Sequence, residues 1–213
     1  MRVGIIGSGT VGQHLGAGFV KHGHEVWIGT RDPAKLADWA KKAGPKVHVV
    51  STAEAAKQGE LLVVASRWDG TEAALRAAGP ENFRGKVVMD ATNPLRSSEN
   101  GPPTLALGFD TSAGEKVQGW LPGAKVVKVY NTVGAPLMVD PTFQGGLKGD
   151  MFIAGDDAQA KATVADVVRD FGWEVVDAGD IRMSRVLEPL CILWVHVGLS
   201  TGKWNHAYKL IRT

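Results

Sequence analysis

The chain of 213 residues is 44% hydrophobic and 22% charged, with a formal net charge of +2; that is the balance of a globular protein with one sizeable core, and too little positive charge, with no Lys/Arg block, for a nucleic-acid partner. Its single cysteine, Cys191, makes no intramolecular disulfide and, inside the apolar run PLCILWVHVGL, reads as an inert buried thiol. No apolar run reaches the ~20 residues that span a bilayer, and a strand starting at residue 2 leaves no place for a secretory leader, so a cytoplasmic protein without a membrane partner is expected.

Strands and helices then alternate along the chain. RVGII is a strand, and VGQHLGAGFVKHG is a helix ended by Gly23. EVWIG is a second strand. The helix after it starts at Pro33, a favoured first-turn residue, and runs to about Ala43. KVHVV is a third strand, and STAEAAKQG a short helix whose Ser51 and Glu54 have capping-box spacing. LLVVA is unbroken in hydrophobicity and so is a fourth strand buried on both faces. A helix over 69–78 and the fifth strand with its exit loop, KVVMDATNP, come next. Residues from Leu95 to about Gly108 are rich in Pro, Gly and Ser and aperiodic, the kind of long loop that serves as a lid or stays mobile. TSAGEKVQGWL is a helix and AKVVKVYNTV a sixth strand. DMFIAGDDAQAKATVADVVRDFGWEVVDAG is strand, helix, strand, with Asp156 or Asp157 as the cap and Gly172 as the stop. From about Met183 the chain reads as helical to its end, interrupted or kinked at Pro189. The alternation predicts an α/β, Rossmann-type doubly wound and mainly parallel sheet. Residues 1–180 are expected to form the nucleotide-binding domain, and 181–213 a small helical extension packed on it in the same structural unit.

Gly7, Ser8, Gly9, Thr10, Val11 and Gly12 spell GSGTVG, a G-x-G-x-x-G directly after a strand and opening a helix. Gly7 permits the tight turn, Gly9 lets the backbone approach a pyrophosphate, and Gly12 lets helix and sheet pack closely. The helix amino terminus offers N–H groups and positive dipole to the phosphates. At the end of the second strand, a carboxylate would accept from the ribose 2′-OH of NAD and repel the 2′-phosphate of NADP. That place holds Gly29, Thr30 and Arg31. Thr30 offers a hydroxyl, Arg31 a planar cation suited to phosphate, and Lys35 a point charge one helical turn on; Asp32 is placed to cap the helix at Pro33. The expected cofactor is NADP(H).

The rest of such a ligand lies across the carboxyl ends of the strands. There stand Ser66, Arg67 and Trp68 after the fourth strand, Thr92, Asn93 and Pro94 after the fifth, and Asn131, Thr132 and Val133 after the sixth. Trp68 has a second reading, as packing under the following helix. No Ser/Tyr/Lys set, metal-ligand cluster or acid–base pair is visible. His22 and His24 flank Gly23 at a turn away from the strand ends, and His14, His48, His196 and His206 have no visible partner. Lys203 and Asn205, two positions apart, would point to different faces of a helix. Hydride transfer to a flavin-like ring needs no positioned base, because stacking two rings supplies proximity and orientation, at the upper limit roughly 7–11 kcal/mol. A carbonyl or alcohol substrate would need a proton donor or acceptor. The expectation is therefore no catalytic side chain and no metal.

At these residues the chain resembles the NADP oxidoreductases dependent on coenzyme F-420, a 5-deazaflavin. MRVGIIGSGTVG with GHEVWIGTRDP is similar to the family's cofactor-binding opening, and KVVKVYNTVGAPLM to its sixth strand and exit loop. MFIAGDDAQAKATVADVVRDFGWEVVDAGDIRMSRVLEPL is similar to its carboxy-terminal block. The cytosolic reductase domain of membrane-bound ferric reductases belongs to the same broad group. The resemblance implies a homodimer or higher homo-oligomer that transfers hydride between the nicotinamide C4 and the deazaflavin C5. By position it implies that Gly9, Thr10, Val11 and Gly12 line the phosphates and that Thr30, Arg31 and Lys35 hold the 2′-phosphate. Ser66, Trp68, Asn93, Pro94, Asn131 and Val133 would surround the nicotinamide and a small-molecule acceptor, F-420 or another flavin. The pair Tyr130-Asn131 stands where some members carry His, and the loop over 95–110 differs from archaeal members; both departures concern the acceptor. The alternatives are a flavin or ferric reductase, a small carbonyl or imine reductase using Tyr130, Lys203 or a loop residue as proton donor, and a non-catalytic NADP-binding sensor whose carboxy-terminal helix serves a partner. Polar strand exits beyond the phosphate turn weigh against the sensor.

Overall fold

Runs of consecutive Val, Ile and Leu, rather than alternating ones, make strands that bury both faces, and a computed structural model, which describes residues 1–98 and 101–211, stacks them into one sheet. The strands are β1 (Arg2–Ile6), β2 (Glu25–Gly29), β3 (Val47–Val50), β4 (Leu61–Val64), β5 (Val87–Asp90), β8 (Lys125–Lys128), β9 (Asp150–Gly155) and β10 (Glu174–Gly179), in the spatial order β10-β9-β8-β5-β4-β1-β2-β3. The chain leaves β1 for β2 and β3 on one side, then returns to β4 on the other. The strand order thus reverses beside β1, where a doubly wound sheet opens its ligand crevice.

Helices cover both faces of the sheet. The helices α1 (Thr10–Lys21) and α6 (Ala158–Asp170) bury Leu15, Phe19, Val164 and Val168 on one face. On the other, α3 (Thr52–Gln58), α4 (Trp68–Ala78) and α5 (Ala113–Trp120) bury Ala55, Leu75 and Val117. The expected helix after β2 is a 3-10 turn over Pro33–Leu36 running into α2 (Ala37–Ala43). Capping follows the chemistry of the sequence. The Ser51 Oγ accepts from the Glu54 N–H at 3.2 Å, and Asp157 accepts from the Ala160 N–H at 2.7 Å. Asp156 instead accepts from the Ile181 N–H at 3.0 Å and so fastens the turn after β10.

Three features depart from the sequence reading. First, β9 pairs antiparallel with β8, Val127 opposite Gly155 and Lys128 opposite Ala154. A parallel neighbour requires a crossover, usually a helix, and residues 129–149 supply only two short 3-10 turns, Ala135–Leu137 and Gln144–Gly146. Second, the aperiodic segment after β5 carries a small antiparallel ladder, β6 (Leu95–Arg96) with β7 (Thr104–Leu105); residues 99–100 of the expected lid lie outside the described residues. Third, the carboxy-terminal segment is not helical to its end. The last helix, α7 (Ser184–Thr201), continues through Pro189 and stops at Gly202, whose φ of 67° is the left-handed conformation that favours glycine. The chain then turns back in extended form. The Trp194 indole donates to the His206 carbonyl, the Tyr208 hydroxyl donates to the Leu190 carbonyl, and the Asp150 N–H donates to the Tyr208 carbonyl. Residues 212–213 of the expected extension lie outside the described residues. No helix among those described is long and apolar enough to cross a membrane.

One buried ion cluster ties α7 to the sheet. Lys128 of β8 is 0% exposed. Its Nζ lies 2.7 Å from an Asp90 oxygen and 3.1 Å from Glu188 of α7, and it donates to the Thr92 carbonyl at 2.8 Å. The two Glu188 oxygens in turn accept from the Ala113 and Gly114 N–H groups at 3.0 Å, satisfying the start of α5. Burial works against the ammonium, but Asp90 and Glu188 outweigh it and hold the Lys128 pKa above its ordinary value. The stability this group contributes is therefore complete at and below the ordinary lysine range and is lost only as pH climbs through the raised folded value. Replacing Lys128 by Met strands two buried carboxylates, so urea unfolding should register a loss of about 3–5 kcal/mol; a change well under that would mean the cluster is not the anchor described.

Candidate functional site

The Gly-rich turn follows from three different demands on three glycines. Gly7 has a φ of 126°, and a Cβ there would lie 2.6 Å from the Ala65 carbonyl carbon. A Cβ on Gly12 would run into the Gly7 carbonyl oxygen, so α1 packs directly on the turn. Gly9 has ordinary extended backbone, and a Cβ there would meet nothing within 4 Å. Two glycines thus serve packing and one keeps a surface open. As the N-cap of α1, Gly9 supplies no side-chain cap, and the first turn carries no acid. The first N–H groups of the helix and its positive dipole end are left for a ligand.

The end of β2 is wired to this turn. Ser8 Oγ donates to Thr30 Oγ1 at 3.1 Å, and the same threonine oxygen accepts from the Asp32 N–H at 3.1 Å. Gln13 donates to the Ser8 carbonyl at 2.8 Å. Thr30 therefore shapes the turn, while Arg31 stands exposed on the wall of the adjoining cleft. Lys35 is outside that wall, with its side chain 81% exposed and 3.5 Å from Asp32.

The cleft, of about 780 Å³, runs over Gly7 to Val11 and past Thr30 and Arg31 to Ser66 and Arg67. A second cleft of about 380 Å³ shares Val11, Ala65, Ser66, Arg67 and Asp69 with the first and continues past Trp68 to Thr92, Asn93 and the β6–β7 segment. The two form one trough along the carboxyl ends of the strands. Its far wall was missed in the sequence: Gly70, Ala73, Ala74 and Ala77 line it from α4. The signal was present in the small residues of WDGTEAALRAAG, spaced to share one helix face. Trp68, the first residue of α4, lines the second cleft and stacks on Trp120 of α5, ring centres 5.5 Å apart.

Other candidates lie elsewhere. Gly12, Asn131 and Val133 are buried, and with Pro94 they are not among the residues lining the trough. Asn131 donates to Asn93 at 3.3 Å and to the Leu187 carbonyl at 2.7 Å, and Asn93 donates back to the Asn131 carbonyl at 2.8 Å. Tyr130, with a φ of 59°, is buried beside Phe171, and burial raises its pKa well above the ordinary phenol value. Lys203 and Asn205 line a separate groove formed with the carboxy-terminal tail. Three of the histidines have partners the sequence did not reveal. His22 is 3.0 Å from Asp140, His48 is 2.7 Å from Glu25, and His206 packs flat on Trp194. Burial pushes the Cys191 thiol up to about 12, where it stays protonated. The Lys128, Asp90 and Glu188 cluster, directly beneath Thr92, also escaped the sequence reading. Its signal was an ionisable residue closing each of two strands, VVMD and KVVK, which the sheet sets side by side.

The family described as NADP oxidoreductase, coenzyme F420-dependent, matches residues 2–94, the segment from β1 through the exit of β5. A solved structure of a provisionally named F420-dependent NADP-reductase from Arthrobacter sp. FB24 is 41% identical, covers 100% of both chains and superposes with a TM-score of 0.94. That of a hypothetical protein, SMa0349 from Sinorhizobium meliloti, is 28% identical over 86% of this chain and 87% of its own, with a TM-score of 0.71. Metalloreductase STEAP3 of Rattus norvegicus is 28% identical over 99% of this chain, which spans 42% of that relative's length. With a solved relative of such identity matching it over its whole length, this chain belongs to the coenzyme F420-dependent NADP oxidoreductase family, and it is an NADP-dependent oxidoreductase.

Proposed function

We propose that the chain binds NADPH along the trough and passes its hydride to a flavin-like acceptor at the β4 and β5 end, with the deazaflavin coenzyme F-420 as the leading candidate. The observation that carries this reading is the chemistry of the trough's two ends. One end offers an uncapped helix amino terminus and Arg31 in the place of an acid. At the other, the only ionisable residues among those described as lining the second cleft are Arg67 and Asp69, both exposed and 3.3 Å apart.

The residues present fit the cofactor. Gly9 leaves room for a pyrophosphate against the backbone, and the α1 N–H groups hold its oxygens. Arg31, with Lys35 adding charge on the same turn, balances a 2′-phosphate; Ser8 and Thr30 keep that turn in shape. The small side chains of α4 leave a slot for a flat base. When bound, NADPH supplies a hydride from its nicotinamide ring. Trp68, held by Trp120, with Ser66 and Asn93, walls the space in which that ring and an acceptor would be brought together, and proximity does the work that an acid–base pair would do for a carbonyl. Tyr130 and Lys203 stand outside the trough, which weighs against carbonyl or imine reduction. The similarity to a metalloreductase over 99% of this chain favours, as a second reading, a flavin or ferric reductase. The same proposal has residues 1–180 and 181–213 act as one unit, in a cytoplasmic homodimer or higher homo-oligomer.

The deciding experiment follows the loss of reduced-nicotinamide absorbance with F-420, FMN, FAD or no acceptor, and repeats each with NADH. Turnover confined to NADPH and F-420 supports the proposal. Turnover with FMN or FAD selects the second reading, and NADPH binding without turnover leaves a carbonyl or imine reductase or the sensor.

Two substitutions test the nucleotide end. Arg31→Ala should weaken NADPH binding by about 1.5–3 kcal/mol and leave NADH binding unchanged; titration of both against the variant checks this, and an equal loss for the two cofactors would remove Arg31 from the 2′-phosphate. Gly9→Val should eliminate nucleotide binding with no change in unfolding midpoint, since its backbone is extended and its Cβ faces open space. Retained binding would move the phosphates away from the turn.

A further inference from the structure

We infer that the turn of α7 carrying Leu187 and Glu188 is a positioning element for the acceptor end of the trough, acting through Lys128 and Asn131 on Thr92 and Asn93. The inference rests on the proposed reading of the second cleft as the place of hydride transfer.

Thr92 and Asn93 line that cleft, yet neither is held by its own strand alone. Thr92 is gripped at three atoms. Its N–H and hydroxyl donate to one Asp90 oxygen, at 3.0 and 2.7 Å, and its carbonyl accepts from Lys128 at 2.8 Å. Lys128 is in turn set between Asp90 and Glu188. Asn93 is gripped at its amide by Asn131, whose own amide nitrogen donates to the Leu187 carbonyl. Two independent chains of contacts therefore start on adjacent residues of α7 and end on adjacent residues of the cleft floor. All the intermediate groups are buried, so water does not compete for these bonds. Glu188 is itself fixed by the amino terminus of α5, the helix whose Trp120 backs Trp68 across the same cleft. Asn131 thereby acquires a part in the site without touching a ligand.

A structural anchor and a positioning device differ in what survives once stability is restored. Lys128→Met combined with Asp90→Asn and Glu188→Gln removes all three charges of the cluster together, so no carboxylate is left buried without its cation; an Asn at 90 can still accept from Thr92, but the bond to the Thr92 carbonyl is gone. Asn131→Leu, made separately, cuts the Leu187 route and leaves the ion cluster intact. Both variants should unfold cooperatively and bind NADPH as the wild type does, with KM for NADPH unchanged. Their kcat with the accepted flavin or deazaflavin should fall about 100-fold, as misplacement by about an ångström does, and amide hydrogen exchange over residues 91–98 should quicken. Folded variants with wild-type kcat and exchange would overturn the inference and leave the cluster purely structural. If one variant does not fold, the other decides. If the wild type reduces none of the acceptors, the hydride-transfer reading fails on its own, while the exchange rates still show whether α7 holds the segment.

Discussion

An ammonium group buried in the middle of a mostly apolar sheet is the constraint on which much else in this molecule turns. A charge cannot be left alone in such a place. Lys128 at the end of β8 is tolerable because β5 sets Asp90 directly beside it and α7 brings Glu188 from outside the sheet. Glu188 then has oxygens to spare, and the free N–H groups at the start of α5 take them. One buried charge thereby fixes the relation of two strands, two helices and the exit loop of β5. That loop is also the far floor of the trough.

The near end of the trough rests on a different principle. A nucleotide's phosphates need close approach to backbone N–H groups, and a Cβ in the wrong place prevents it. The turn after β1 gives two of its glycines to packing, Gly7 against Ala65 and Gly12 against Gly7, and its third faces open space. Polarity is then set by what is absent and what replaces it: no acid in the first turn of α1, and Thr30 and Arg31 where an NAD-preferring site would carry a carboxylate. Thr30 is absorbed into the Ser8 and Asp32 hydrogen bonds, which leaves Arg31 as the free group of the pair.

The carboxy-terminal third shows how topology follows from connection length. Without a helix between β8 and β9 the chain has no way to cross over, and β9 and β10 run antiparallel to the six strands before them. The tail after Gly202 docks on Asp150 at the start of β9 and on α7 itself. Lys209 and the Leu210 N–H both bind the Asp150 carboxylate. The tail, β9 and α7 hold one another, and the chain after Gly202 leaves the helix that the sequence reading extended to its end.

Much was legible in the sequence because it depends on neighbours in the chain. Strand and helix alternation, the Ser51 cap, the α/β class, the glycine turn and the cationic end of β2 are all written in residues a few positions apart, where periodicity and local sterics act. What stayed hidden depends on pairs far apart in sequence. Asn131 and Val133 follow a strand as ligand contacts would, and the structure buries both, Asn131 with its amide on the Leu187 carbonyl of α7. Lys128 and Asp90 read as charges at strand ends until the sheet placed them side by side, 38 positions apart, and Glu188 closed the cluster from 60 positions further on. The sequence by itself determined the kind of fold and the glycine turn that leaves the start of α1 open, because both follow from backbone conformations that local residue types dictate. Only the tertiary structure decided the direction of the last two strands, the course of the tail and the floor of the second cleft, because these arise from buried charge and hydrogen-bond satisfaction between segments that no local pattern brings together.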